Sequence, residues 1–516
     1  MNELIIASRA YREKIMEDPI RPAYHFTIPD GKADPGDPNG AFFADGVYHL
    51  MYLYHNAKTD GYHWGHVSSV DLLHWRHHPD ALTVGPADRG CYSGGAFLDD
   101  DGTAYLTFWK FPDKDNSPDK GGIAIAKATA PYEKWERLYP IAIESNSAGE
   151  LNHFEGWGSI DKGWGSIDIA HDGILDHVSC ADPSNIWKQN GWYYLQAGNK
   201  HVLDVWGREE DSDPRYRGDW TDLFRSKDLK TWSFVHRFYT NPHSGEDWPD
   251  ATEDDMCPSF LPLYDAKENG MATGKWLQLF ISHNKGCQYY VGTLNDETFY
   301  PQTHGRMSWN DNGFFAPEAL IDDRNRHIMW SWMLTTSRAN FKKYGWCGVY
   351  SFPRVLWWED DQLHMAPAQE LDRLQLHHQS FSKVKDGVLP VKNGKSFRLK
   401  ATFDMTDQKR AGLRVKVNSA ESSYVEICVD KEKNQLIMDA VDCEVGLEKA
   451  PFALKEGELL SLDIFVDRAI VEVYANERQA ICRYVYPADP EDAVGVRLCG
   501  DPVSVDAWEM APSNPY

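Results

Sequence analysis

The sequence predicts an all-β chain, a propeller or large barrel followed by a β-sandwich, and three observations carry that prediction. Short alternating strands bounded by Gly, Asp or Asn recur at about 8–12-residue spacing over roughly 330 residues, while helical periodicity is scarce. The segment Ser68-Ser69-Val70-Asp71-Leu72-Leu73-His74-Trp75 returns as Arg225-Ser226-Lys227-Asp228-Leu229-Lys230-Thr231-Trp232, a repeated Ser-x-Asp-Leu-x-x-Trp hairpin suited to equivalent places on two blades. A second set of alternating strands begins near Ser380.

In chain order, a short helical opening is expected over Glu3 to Met16. Asp37-Pro38-Asn39-Gly40 then reads as a turn that feeds the alternating run Ala41 to Tyr54. Further strands are expected at Ala104 to Trp109, Trp192 to Ala197, Trp276 to Ser282 and His327 to Met333. The stutter Trp157-Gly158-Ser159-Ile160-Asp161 and Trp164-Gly165-Ser166-Ile167-Asp168 reads as a Gly-rich loop. Near Pro353 to Leu374 the chain reads as a linker, and Phe397 to Phe403, Tyr424 to Val429, Leu459 to Val466 and Ala469 to Tyr474 make a sandwich of ordinary size. The expected boundaries are 1–20 for the opening, 21–352 for the propeller, 353–379 for the linker and 380–516 for the sandwich.

At 516 residues the chain exceeds one hydrophobic core, in keeping with two domains. Its 20 Trp and 25 Tyr suit sheet cores and also sugar binding, because an apolar ring face stacks on sugar C–H groups. A net charge of -25 argues against nucleic acid or an anionic membrane surface as partner, and a neutral oligosaccharide is the easier fit. Nine Cys without a Cys-x-x-Cys spacing indicate neither a zinc site nor a disulfide framework, so reduced thiols are expected. No apolar stretch approaches the ~20 residues of a membrane helix, and the N-terminus lacks the pattern of a secretory leader. The expected compartment is the cytoplasm, although a secreted chain stripped of its leader would read the same.

Three acidic positions share a local setting. Asp37 precedes Pro38, Asp182 precedes Pro183, and Glu253-Asp254-Asp255 leads into Met256-Cys257-Pro258; each is followed at once by strand-like sequence. Innermost propeller strands start near the central channel, so acids far apart in sequence converge there. Converging carboxylates raise one another's proton affinity, which keeps one protonated while its partner stays ionised. Glycoside cleavage needs that division of labour. No Asp-x-Asp-x-Asp-Gly loop is present, and neither a metal nor another cofactor is expected.

Taken together, the chain resembles glycoside hydrolase family 32, the invertase, inulinase and levanase group. The likeness runs through Arg21-Pro22-Ala23-Tyr24-His25-Phe26, Asp37-Pro38-Asn39-Gly40, Asp45-Gly46-Val47-Tyr48-His49-Leu50, Trp64-Gly65-His66-Val67-Ser68 and Tyr92-Ser93-Gly94-Gly95-Ala96. It continues through Asp182-Pro183, Cys257-Pro258, Ser351-Phe352-Pro353-Arg354 and Asp467-Arg468-Ala469-Ile470-Val471-Glu472-Val473-Tyr474. The resemblance implies a five-bladed β-propeller followed by a β-sandwich, and retaining hydrolysis of β-fructofuranosides without a metal. By motif, Asp37 would be the nucleophile and Asp182 the stabiliser that holds substrate hydroxyls. Asn39, Trp64, Tyr92 and Ser93 would shape the sugar pocket, Trp64 as an apolar wall.

Three departures from the family pattern matter. Asp34-Pro35-Gly36 stands where the family has Trp-Met-Asn, which removes an amide donor and an aromatic platform. Ala181 replaces the Arg before Asp182, and with it a charge-assisted clamp worth about 1.5–3 kcal/mol. Met256 replaces the Glu before Cys-Pro, and a thioether cannot donate a proton. Either the acid has moved within Glu253, Asp254 and Asp255, or hydrolysis is lost. On a regular strand Asp254 shares the face of Met256 while Asp255 points away unless a bulge intervenes, and Glu253 has the longer reach. The sequence leaves two rivals to a β-fructofuranosidase: an arabinofuranosidase-like enzyme, and a non-catalytic carbohydrate-binding propeller.

Overall fold

The computed structural model describes residues 17–28, 36–113, 115–146, 166–171, 174–200, 219–240, 253–283, 285–307, 309, 313–334, 347–381, 387–443 and 446–513, with isolated positions 6, 10 and 13 ahead of them. Apart from positions 6, 10 and 13 the expected opening helix lies outside these residues, as do the Trp157 stutter up to residue 165 and Asp34-Pro35; the last three residues of the stutter, 166–168, expected as loop, begin a strand instead. Among the described residues no helix is long and apolar enough to cross a membrane.

The chain is all-β. A ten-stranded sheet spans Pro38 to Glu144, a hairpin joins Ser166–His171 to Ile174–Ser179, and sheets of five, four and five strands follow over 181–237, 256–306 and 314–367. Within the ten-stranded sheet, the antiparallel sets 38–82 and 96–144 are linked through Asp88–Cys91, which meets the first set at a parallel bridge, Tyr62 to Gly90. The leading strands of these sheets contact one another in a circuit. Pro38–Ala44 touches Ala96–Leu98 and Phe314–Ile321, and Met256–Tyr264 touches Ala181–Pro183 and Phe314–Ile321. Ala181–Pro183 completes it against Ala104–Pro112, the partner of Ala96–Leu98.

Each of the longer leading strands breaks register near its start, and so does Ala181–Pro183. The shifts fall between Asn39 and Phe42, Ala181 and Pro183, Met256 and Ser259, and Phe315 and Glu318. At each sits a left-handed residue: Gly40 (φ 55°), Asp182 (φ 39°), Cys257 (φ 49°) and Ala316 (φ 47°). A bulge adds one residue against its partner strand and turns the neighbouring side chain out of the pleat, which is why bulges gather where a side chain must be re-aimed. Only Gly fits at position 40, because a Cβ there would lie 2.9 Å from Leu106 and 3.1 Å from Trp64.

The repeated Ser-x-Asp-Leu motif is a structural turn. Ser69 and Asp71 bond each other and the Asp carboxylate accepts from the N–H of Leu73 and His74 at 3.0 and 2.9 Å. Ser226 and Asp228 reproduce this with Lys230 and Thr231 at 2.9 and 2.8 Å, and Leu72 and Leu229 share φ near 62° and 61°. Both copies join the third and fourth strands of a sheet.

The C-terminal part is a two-layer sandwich of a six-stranded and a five-stranded sheet, with Phe397, Leu399, Leu413, Ile427, Ile464 and Val471 in its core. The linker expected at 353–379 is mostly strand. Arg354–Glu359 and Gln362–Pro367 complete the sheet begun at Phe314, and Gln375–Ser380 is an edge strand of the sandwich, leaving the helical turn Gln369–Leu374 as the connection. The prolines that read as linker punctuation flank strand ends, where a missing N–H costs no ladder bond.

The two halves are joined by buried charge. Asp467 accepts from the N–H groups of Ala23, Tyr24 and His25 at 2.7, 2.9 and 2.8 Å, and from His25 Nδ1 at 2.9 Å. Glu472 holds Arg354 at 3.1 Å and faces His25 Nε2 at 3.5 Å. The motifs at 21–26, 351–354 and 467–474 thus meet at one interface.

Candidate active site

Asp37 opens the first leading strand, and its backbone carbonyl accepts from Leu53 N–H at 2.9 Å. Its carboxylate Oδ2 accepts from Ser93 Oγ at 2.6 Å, a short hydrogen bond of the charge-assisted kind. Asn39 is spent on the backbone: its amide donates to the Asp37 carbonyl at 3.2 Å and accepts from Gly94 N–H at 3.2 Å. It therefore fastens the Asp37 turn to the Ser93 turn instead of facing a sugar.

Across the ring, the bulge at Cys257 turns its thiol toward Asp182, whose Oδ2 it meets at 3.5 Å. Burial pushes the Cys257 thiol well up, and the charges of Asp182 and Asp37 push it further, against the lowering pull of Ser93, the residue that bonds Asp37. The thiol stays neutral and is no nucleophile. Burial also pushes Asp182 up to about 6, against the lowering pull of Cys257 and His283. Tyr92, half-buried, lies near Asp182 with its ring 4.9 Å from that of Tyr62. Asp37, Asp182, Ser93 and Tyr92 are thus brought together.

Trp64 is a correction. Its side chain is fully buried, edge-on to Phe108, and its Nε1 donates to the Tyr92 carbonyl at 3.2 Å. It backs Tyr92 from the third strand of the first set, Gly61–Ser69, with its ring packed in the core among Met51, Leu53 and Leu106, so it offers no exposed wall.

The acidic run divides by side-chain direction, and all three side chains are buried, at 0% exposure. Glu253 accepts from Lys285 Nζ at 2.9 Å and Gln288 Nε2 at 3.1 Å; burial pushes it up to about 7 against the pull of Lys285. Asp254 accepts from His283 N–H at 3.1 Å and His283 Nδ1 at 3.1 Å, and its charge acts on Asp182. Asp255 sits beside Tyr239, and burial, then Asp219 and Glu253, push its carboxyl well above the usual carboxylate range. Its backbone is left-handed (φ 46°). Met256 packs against Gly198 in the core.

Sequence reasoning missed three groups. His283 follows the strand Ala272–Ser282 and carries no motif. Glu318 accepts from Ala41 N–H at 2.8 Å, just after the Asp37 turn, and burial pushes it well above the carboxylate range. Tyr350, fully buried, has its hydroxyl raised by burial, then by Asp37 and Tyr52, with Glu318 adding to them. Only the closure of the circuit brings residues 318 and 350 to residue 37. Among the described residues no group of three or more His, Cys, Asp or Glu side chains is placed to hold a metal ion.

An all-β ring with carboxylates gathered at the starts of its leading strands, carrying a β-sandwich behind it, is the arrangement of a glycoside hydrolase. The model for the glycosyl hydrolases family 32 N-terminal domain matches residues 25–155 and 167–367, and the family 32 C-terminal model matches 368–509. The chain belongs to glycosyl hydrolase family 32. It is 26% identical over 510 residues to a levanase of Bacillus subtilis (strain 168), covering 91% of this chain and 67% of the levanase. It is 24% identical over 522 residues to a raffinose invertase of Escherichia coli, covering 94% of each. Among solved structures, fructan 1-exohydrolase IIa from Cichorium intybus superposes with a TM-score of 0.73 at 19% identity, over 96% of this chain and 98% of that one. Sucrose-6-phosphate hydrolase from Lactobacillus gasseri gives 0.73 at 19% identity, over 98% and 96%.

Proposed function

We propose that this chain is a retaining hydrolase of β-fructofuranosides, with a five-bladed propeller that ends at about residue 367 and a sandwich that braces it. The observation that carries the reading is that Asp37, held by Ser93 at 2.6 Å, and Asp182, met by Cys257 at 3.5 Å, stand at the starts of leading strands of one circuit. Asp37 attacks the anomeric carbon, and the Ser93 hydroxyl holds the attacking carboxylate in one orientation. Asp182 balances the positive charge that develops on the ring as the glycosidic bond stretches, and a proton reaches the leaving oxygen from the Asp254 side of the site. The relatives named for levan, raffinose and sucrose 6-phosphate support a fructosyl unit at the Asp37 pocket. The nine free cysteines fit work in a reducing compartment such as the cytoplasm.

Asp37→Ala abolishes release of fructose from sucrose and inulin while circular dichroism and thermal melting stay as in the parent. Parent-like activity in that variant overturns the assignment. Ala181 favours one second reading: without an Arg clamp beside Asp182 the pocket need not prefer fructose. Aryl arabinofuranosides tested against sucrose and inulin separate the two specificities.

A further inference from the structure

An acid that serves the glycosidic oxygen must touch the space the sugar enters. Glu253, Asp254 and Asp255 are each 0% exposed, and Glu253 is bound to Lys285 and Gln288 while Asp255 lies against Tyr239. The Asp254–His283 pair has another form. Both the backbone N–H and the ring Nδ1 of His283 donate to Asp254 at 3.1 Å, and the imidazole keeps 7% of its side chain exposed where the carboxylate keeps none. Asp37 and Asp182 are open to the same small extent, at 6% and 7%. The ring also stands edge-on to Phe315 at 5.5 Å, at the start of the neighbouring leading strand Phe314–Ile321, and the charge of His283 acts on Asp182. A carboxylate only accepts, which fixes the proton on Nδ1 and makes Nε2 the nitrogen whose proton can move.

We propose that His283, oriented by Asp254, is the acid/base of this site and takes the place of the carboxylic acid lost at Met256. The proposal rests on the fructofuranosidase reading and names the residue that reading leaves open. In the first step a carboxylate oxygen of Asp37 bonds to the anomeric carbon. The glycosidic C–O bond breaks toward oxygen, and the Nε2 proton of the imidazolium moves to that oxygen. This leaves a fructosyl ester on Asp37 and a neutral imidazole. In the second step a water oxygen attacks the same carbon, its proton passes to Nε2, and the ester bond breaks to return the Asp37 carboxylate. One water is consumed for each bond cleaved. Asp254 is a positioning residue that holds the ring in one orientation and tautomer through Nδ1, as a carboxylate does in hydrolytic triads.

The test compares sucrose, whose leaving group needs a proton, with β-fructofuranosyl fluoride, whose leaving group does not. In His283→Gln, sucrose hydrolysis falls by about 10²–10⁴-fold, the contribution of general acid catalysis. The first step on the fluoride, read as a burst of released fluoride ion, stays within about tenfold, while hydrolysis of the ester slows and added azide restores turnover with fructosyl azide as product. Equal losses in the first step on both substrates, unchanged sucrose hydrolysis, or the same split appearing in Glu253→Gln instead would overturn the proposal. Should His283→Gln fail to fold, diethyl pyrocarbonate on the parent protein decides. Carbethoxylation of His283, mapped by mass spectrometry and blocked by fructose, stops sucrose cleavage and spares the burst of fluoride ion; modified protein that still cleaves sucrose refutes the role. A parent protein that cleaves neither substrate overturns the fructofuranosidase reading itself.

Discussion

Asp467→Asn tests whether the interface between ring and sandwich rests on one carboxylate. Four donors from Ala23, Tyr24 and His25 converge on it: Oδ1 accepts one at 2.7 Å and Oδ2 accepts three, at 2.9, 2.8 and 2.9 Å. An amide has one acceptor end. Its least damaging orientation keeps oxygen at the Oδ2 site and turns NH2 against the Ala23 N–H, so one bond is lost outright. A hydrogen bond to a charged group contributes about 1.5–3 kcal/mol, and a neutral one about 0.5–1.5 kcal/mol. One lost bond and three weakened ones sum to a destabilisation of about 4.5–7.5 kcal/mol. Urea unfolding followed by tryptophan fluorescence reads this as a lower first midpoint, since a two-domain chain need not unfold in one step. Limited proteolysis within 369–381 accelerates in parallel. A midpoint shift equivalent to less than about 1 kcal/mol, with proteolysis unchanged, refutes the reasoning, because it means the segment 23–25 is held by packing alone.

The same interface has a pH window with opposite edges. Burial acts to raise Glu472, yet His25 and Arg354 overcome it and hold the carboxylate down at about 2. That contribution is present above the ordinary value of 4.5 and is lost as pH falls toward 2. Burial acts to lower His25, and its bonds to Asp467 and Glu472 raise it instead. Its contribution is complete below the ordinary 6.5 and is lost as pH rises through the raised value.

Further outcomes are expected at the site. Since burial holds Asp182 at about 6, kcat/KM on sucrose falls as pH drops below 6; an acid limb near 4, that of an ordinary carboxylate, contradicts its placement. Glu318→Ala leaves the Ala41 N–H without its acceptor, costs about 1–3 kcal/mol and lowers turnover by loosening the Asp37 turn. Glu318→Gln keeps a carbonyl there in place of a neutral carboxyl and melts within a few degrees of the parent; equal losses in the two variants argue against this role. Asp37→Ala and His283→Gln complete the set, the first abolishing fructose release and the second splitting sucrose from fructosyl fluoride.

Local pattern carried most of the architecture. Period-two alternation located His327–Met333 to the residue and Trp192–Gly198 to within one, and the Ser-x-Asp-Leu motif determined a turn because its bonds close within six residues. The motifs Asp-Pro at 37 and 182 and Cys-Pro at 257 pointed to strand starts, and the chain puts them there. What the sequence could not decide was direction. The bulges at Asp182 and Cys257, the burial of Trp64 and the diversion of Asn39 into the backbone depend on strands far away in sequence. Whether an acid from 253 to 255 meets solvent or lysine was equally invisible, because a single bulge reverses a strand's faces. Residue 283 meets Asp254 across a pair of adjacent strands, and residues 318 and 350 reach Asp37 by closure of the circuit alone. Long-range packing, not local propensity, aims a side chain, so the sequence by itself determined which elements form and which chemistry they carry, and tertiary structure decided which atoms meet.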